Sequence, residues 1–157
     1  MKNSLGVLTL ALFLPLSTFA SPPEQFSVRI QLAQVDYAVI HDQLIEKCKI
    51  SSPESVQELS NAIALWDSNN SLALRKLKVI SGELLAKIFK IPQAEAVARS
   101  RRISEMMTNG LKEKFDNISS DELKTACSGG YATSSLQSPM LNFSELLNEI
   151  VLVKKSD

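Results

Sequence analysis

The chain has 157 residues, with 17 basic and 17 acidic side chains, one histidine and two cysteines. That length suits one domain with a real hydrophobic core. The balanced charge argues against a nucleic-acid binder, whose affinity comes from a surplus of Lys and Arg neutralising phosphates. A single histidine excludes the two-His zinc motifs and a His pair for haem.

The first element is a targeting segment. Lys2 precedes the apolar run from Leu5 to Leu14, and Thr18, Phe19 and Ala20 follow, which is the layout of a secretory signal peptide cut before Ser21. The apolar run is short for a bilayer span. No cysteine stands near the cut to carry a bacterial lipid anchor. The expectation is therefore a signal peptide over residues 1–20 and a single helical domain over 21–157, in the periplasm or secreted, with no stable membrane anchor. Loss of Lys2 leaves one more acidic than basic side chain.

From there apolar residues recur at three and four positions rather than at alternate ones, which predicts helices and no strand. A first helix over Glu24 to Lys49 carries Val28, Leu32, Val35 and Val39, then Ile40, Leu44 and Cys48, on its inner side. Ser51, Ser52, Pro53 and Glu54 stop it and start another: Ser caps free amides, Pro is tolerated in a first turn, and Glu suits the positive end of the dipole. The second helix presents Val56, Leu59, Ile63 and Trp66. The cluster Asp67 to Ser71 predicts a break, because its side chains compete with helical hydrogen bonds. A third helix runs from Leu72 to Phe89 and ends at Pro92, which opens a fourth with Ala96, Val97, Ile103, Met107 and Leu111 inward and a pause at Asn109-Gly110. Ser119 to Glu122 reads as a capping box for a short helix ending at Gly129-Gly130. Tyr131 to Pro139 reads as a polar loop, and Asn142 to Glu145 as a second capping box starting a last short helix. The fold class expected is all-α: a bundle of about four main amphipathic helices plus short C-terminal ones, with one disulfide.

Cys48 and Cys127 both end on apolar helix faces. In an oxidising compartment a structural disulfide is the simplest pairing, and closing so long a loop is worth roughly 4 kcal/mol in the chain-entropy model. Two buried free thiols or a redox pair are the competing readings, although the Cys-x-x-Cys spacing of redox pairs is missing.

The chemistry-bearing residues have structural explanations. His41 lies one turn from Tyr37 and Ile45 and reads as a partly buried structural imidazole. The basic cluster Arg99, Arg101 and Arg102 reads as a solvated helix face. Asp116, Asp121 and Glu122 stand at helix ends, no calcium loop occurs, and no nucleophile setting accompanies His41. Three Asn-x-Ser patterns, at Asn69, Asn117 and Asn142, matter only in a eukaryotic secretory pathway. Neither a metal site nor a cofactor is expected. The last segment, from Met140 to Val153, is more apolar than one narrow face requires, so it either closes the bundle or meets a partner through Phe143, Leu147 and Ile150.

The order Cys48, Pro53, Trp66, Asn69 or Asn70 and Cys127 resembles a diffuse group of small exported bacterial helical proteins, over about residues 28–127. The resemblance implies an exported helical domain with one disulfide and carries no site residues. Periplasmic immunity proteins share the same architecture by analogy. The functional expectation is a non-catalytic protein-binding module, in the form of an immunity or inhibitor protein, and not an enzyme. The alternative is a helical carrier of haem or another small ligand, with His41 and Met106 or Met107 as first ligands to test.

Overall fold

A computed structural model describes residues 22–154. The signal-peptide expectation for residues 1–20 lies outside them. Six α-helices account for most of the described chain: α1 Pro22–Leu32, α2 Tyr37–Ser51, α3 Val56–Phe89, α4 Gln93–Asp116, α5 Ser120–Thr125 and α6 Phe143–Lys154. No strand occurs among the described residues. The all-α bundle with one disulfide is the fold.

The first expected helix is two helices. Ala33, Gln34 and Val35 are buried at a corner, and Asp36 caps α2 by accepting from the Val39 amide at 3.5 Å. Val35, Tyr37 and Ile40 carry the apolar stripe through this corner because both sides of it face the same core, whereas Val39, expected on the inner side, is exposed. The Tyr37 hydroxyl donates to the Leu32 carbonyl at 3.1 Å and ties the end of α1 to the start of α2.

The expected break at Asp67 to Ser71 does not occur: α3 is one helix of 34 residues, about 51 Å at the standard rise. Asn70, the centre of the polar cluster, is buried within the helix. Its amide donates to the Trp66 carbonyl at 3.0 Å, while its Oδ1 accepts from the backbone amides of Phe143 at 2.8 Å and Ser144 at 3.3 Å. A side chain that reads as a helix breaker is thus the cap of another helix, meeting the free donors at its first turn. The same correction applies at Asn109-Gly110, where α4 continues to Asp116.

Helix α3 is the spine. Lys90, in the left-handed conformation at φ 54°, ends it, and Pro92 sends α4 back along it. Gly82 stands where a Cβ would come within 2.3 Å of Val97 Cγ2, so the two helices approach closely there. Helices α1 and α6 lie on α3 as well. Arg29 of α1 donates to both carboxylate oxygens of Glu149 at 2.9 and 3.1 Å and to the Asn142 carbonyl at 3.0 Å, which joins α1 to α6. Helix α2 is tied to α4 by Gln43, which donates to Asp116 at 2.8 Å, and by the Lys47–Asp116 ion pair at 3.2 Å.

The capping box before α5 is present: the Glu122 amide donates to Ser119 Oγ at 3.3 Å and the Ser119 amide to Glu122 Oε2 at 3.2 Å. The short helix ends at Thr125 and gives way to a wide turn of π type, Ala126–Gly130, and the polar loop expected from Tyr131 to Pro139 contains a second, Ala132–Leu136, with Tyr131 buried between them. Gly129 takes φ 102°, a conformation L side chains avoid. Gly130 has no such need, but a Cβ on it would stand 2.6 Å from the Thr125 carbonyl oxygen. Because that neighbour is backbone, Gly130→Ala forces the turn apart, and a loss of about 1–3 kcal/mol is expected in urea denaturation.

Candidate functional site

Three regions carry the chemistry of this chain: the covalent link, the ring cluster around His41, and the surface on the outer side of α3 and α4.

Cys48 and Cys127 are joined, with an S–S distance of 1.97 Å and Cα atoms 5.5 Å apart. The bond connects the end of α2 to the first wide turn after α5. Both sulfurs are buried, so the link is part of the core.

His41 projects from α2 into a cluster of rings. Its centroid lies 5.3 Å from Trp66, edge to face, 5.9 Å from Tyr131, edge to face, and 5.9 Å from Tyr37. The residue is 2 % exposed. Neither ring nitrogen has a hydrogen-bond partner. Asp67 Oδ1 stands 3.6 Å from Nδ1, an ion pair only if the imidazole is protonated and too long for a hydrogen bond. Burial pushes the His41 pKa below its ordinary value, against the upward pull of Asp67 and then Asp42. The imidazole is therefore neutral at pH 7. Burial also raises the Tyr37 and Tyr131 hydroxyls, so both remain protonated.

Trp66 connects this cluster to the C-terminus. Its indole N–H donates to the Leu141 carbonyl at 3.1 Å, and its ring meets Phe143 edge to face at 5.9 Å. With Asn70 one turn further along α3, it fixes the start of α6. The residues expected to meet a partner fall here. Phe143 and Ile150 are in the core, and Leu147 is half-buried and packed against it. The tail closes the bundle, and the expectation of a docking face on Phe143, Leu147 and Ile150 is corrected. The physical reason is that Trp66 and Asn70, distant in sequence, supply the apolar seat and the cap.

The haem alternative finds its residues apart. Rings surround His41, whereas Met106 is on the surface and Met107 packs against the core from α4. Among the described residues no cluster of three or more His, Cys, Asp or Glu is placed to hold a metal ion. No described helix is long and apolar enough to cross a membrane.

On its outer side α3 carries a feature the sequence reading missed. Leu65, Leu72 and Val79 recur every seventh residue on the face opposite Leu59, Ile63, Leu77 and the rest of the buried stripe. They are 65 %, 56 % and 84 % exposed. Arg75, Lys76 and Lys78 stand among them. Ser81 against Ser100, with hydroxyl oxygens 3.4 Å apart, and Gly82 against Val97 set the register of α3 and α4, and Arg101, Arg102 and Met106 of α4 are exposed. Arg99 is paired with Glu95 at 2.6 Å, and no ion pair to the other five cations occurs among the described residues. The seven-residue recurrence was legible in the sequence, but it sat inside the region read as a break and a new helix, so the run was never counted as one face.

The fold and these regions define an all-α, singly disulfide-linked helical bundle with a buried histidine. Comparison of the chain with protein-family models, curated proteins and solved structures returned no match.

Proposed function

We propose that this chain is a non-catalytic protein-binding module of the periplasm or the secreted space, and that it binds through the outer face of α3 and α4. The observation that carries the reading is the uncovered apolar stripe Leu65, Leu72 and Val79 bordered by unpaired cations. Isolated exposed apolar residues are ordinary, but an aligned set on one helix face costs solvation without repaying it inside the fold. In a chain whose total charge is balanced, a local run of Arg75, Lys76, Lys78, Arg101 and Arg102 without acidic partners selects by charge. The complement is an acidic protein surface with apolar side chains at helical spacing, and an immunity or inhibitor protein is the form this takes if the partner is a toxin or an enzyme. Export is supported by the signal layout of the first twenty residues and by the disulfide, which persists in oxidising compartments. Caps, ion pairs and burial account for Asp36, His41, Asp116 and Glu122, which favours binding over catalysis.

The test is a photo-crosslinking side chain placed at Leu72 and, as a control, at the still more exposed Ile50 of α2, in cells that export the protein. A discrete adduct at Leu72 alone is expected, containing a peptide rich in Asp and Glu. It should vanish when Arg75, Lys76 and Lys78 are replaced by Glu. Adducts at both positions, adducts with lipid only, or none at Leu72 would overturn this surface as the binding site.

A further inference from the structure

We propose that His41 is a proton-operated catch on the C-terminal segment: when its imidazole takes up a proton it leaves its seat between Trp66 and Tyr131 for Asp67, and the segment from Tyr131 through α6 loosens.

The geometry gives the catch its two positions. In the closed position the neutral ring contributes only apolar and edge-to-face contacts, and both nitrogens lack partners inside the core. A buried polar group without a partner is tolerated there because the surrounding rings fill the space and the group carries no charge. Protonation changes both conditions. It adds a second N–H and a full charge to a buried site with no acceptor in hydrogen-bond range, where Asp67, 3.6 Å away and half exposed, only partly offsets the lost hydration. Asp67 supplies the way out. Its Oδ1 is 3.6 Å from Nδ1, just beyond a hydrogen bond, and its side chain is half exposed to water. A small movement of the ring toward it makes a charge-assisted bond and reaches solvent, at the expense of the contacts left behind.

What is left behind decides the consequence. Tyr131 sits between the two wide turns, and Trp66 holds Leu141 by its indole N–H and Phe143 by its ring. Two of the three ring neighbours of His41 are therefore the groups that hold the C-terminal segment to α3. The disulfide at Cys127 lies on the near side of Tyr131, so the bundle of α2, α3 and α4 stays tied while the segment beyond it opens.

The groups that face His41 are few. Tyr37 and Asp42 are on its own helix, Asp67 on α3 and Tyr131 on the C-terminal segment. On α4 the nearby Asp116 is engaged by Gln43 and Lys47. Both tyrosines keep their protons throughout the acid range, since burial raises them. The direction of the effect follows from linkage. The histidine of the unfolded chain takes up its proton near its ordinary value of 6.5 and that of the open form, paired with Asp67, no lower, whereas the closed site takes it up only at lower pH. The open form therefore binds more protons in the interval between, and the closed form loses stability as pH falls through that interval and no further below it.

The experiment follows the oxidised protein from pH 8 to pH 4.5, reading the emission of Trp66, the only tryptophan, and hydrogen exchange of the α6 amides corrected for the intrinsic rate. A transition in the mildly acidic range is expected, with α6 exchange rising several-fold relative to the α3 amides beneath it. Far-UV circular dichroism of α2 to α4 should persist. Asp67→Asn removes the anion that draws the proton in, so its midpoint moves to lower pH. His41→Phe occupies the seat without titrating and should abolish the transition, and His41→Gln, polar and uncharged, repeats the test if the Phe variant folds poorly. The same transition in both His41 variants would assign it to carboxylates and overturn the proposal. So would slower α6 exchange in acid, because the rings would then be stabilising the cation.

Discussion

Removing α6 by ending the chain before Phe143 should cost more than about 5 kcal/mol and leave a body that no longer unfolds cooperatively. Phe143 and Leu146 are fully buried and Ile150 nearly so. Each fully buried large apolar side chain is worth about 1.5–3 kcal/mol in area removed from water, and the vacated seat adds the loss of contacts around Trp66, Tyr37 and Ala73. The truncation also strands Asn70 Oδ1, which caps Phe143 and Ser144, and leaves Arg29 without Glu149 and Glu145. A single substitution isolates the largest part: Phe143→Ala alone should cost about 3–5 kcal/mol in urea denaturation. Unchanged stability of either variant would show that α6 does not close the core in solution.

Reduction of Cys48–Cys127, or its replacement by two alanines, should lower stability by about 4–5 kcal/mol. The bond spans 79 positions, and in the chain-entropy model a loop of that length removes roughly this much freedom from the unfolded chain. The native body changes little, because both sulfurs are buried in a packed site that alanine leaves partly filled, with only the Ser51 hydroxyl, 3.5 Å from Cys127 Sγ, losing a polar neighbour. The measured signature is a lower denaturant midpoint with a near-native circular dichroism spectrum. A loss below about 1 kcal/mol would mean that the unfolded chain is already compact around this pair. The two largest effects are separable, since the disulfide acts on the unfolded ensemble and Phe143 on the folded core.

The binding surface and the His41 catch occupy opposite sides of α3. Trp66 and Asn70 face inward to α2 and α6, while Leu65, Leu72 and Val79 face outward. Substitutions on the outer stripe should therefore leave the acid response of Trp66 unchanged, and His41→Phe should leave crosslinking at Leu72 unchanged at neutral pH. Distant sites without shared partners are expected to act additively.

Sequence pattern by itself determined the helical class, the inward placement of Leu44, Cys48, Leu59, Ile63 and Trp66, the start at Pro53 and the capping box at Ser119. These are local properties: spacing that repeats with the helix turn, and side chains that satisfy free amides a few positions away. Tertiary structure alone decided the rest. Asn70 looks like a helix breaker until α6 arrives to use it as a cap, so the spine was read as two helices. Val35 and Ile40 keep one stripe across a corner because both sides of the corner face the same core, while Val39 is left outside it. Phe143 could equally close a bundle or meet a partner, and only the seat made by Trp66 and Tyr37 settles which. His41 had ordinary neighbours in sequence, but its two unpartnered nitrogens and its ring contact with Tyr131 arise from segments far apart in the chain. Periodicity reports which side of an element is apolar; what covers that side is fixed only when the elements meet.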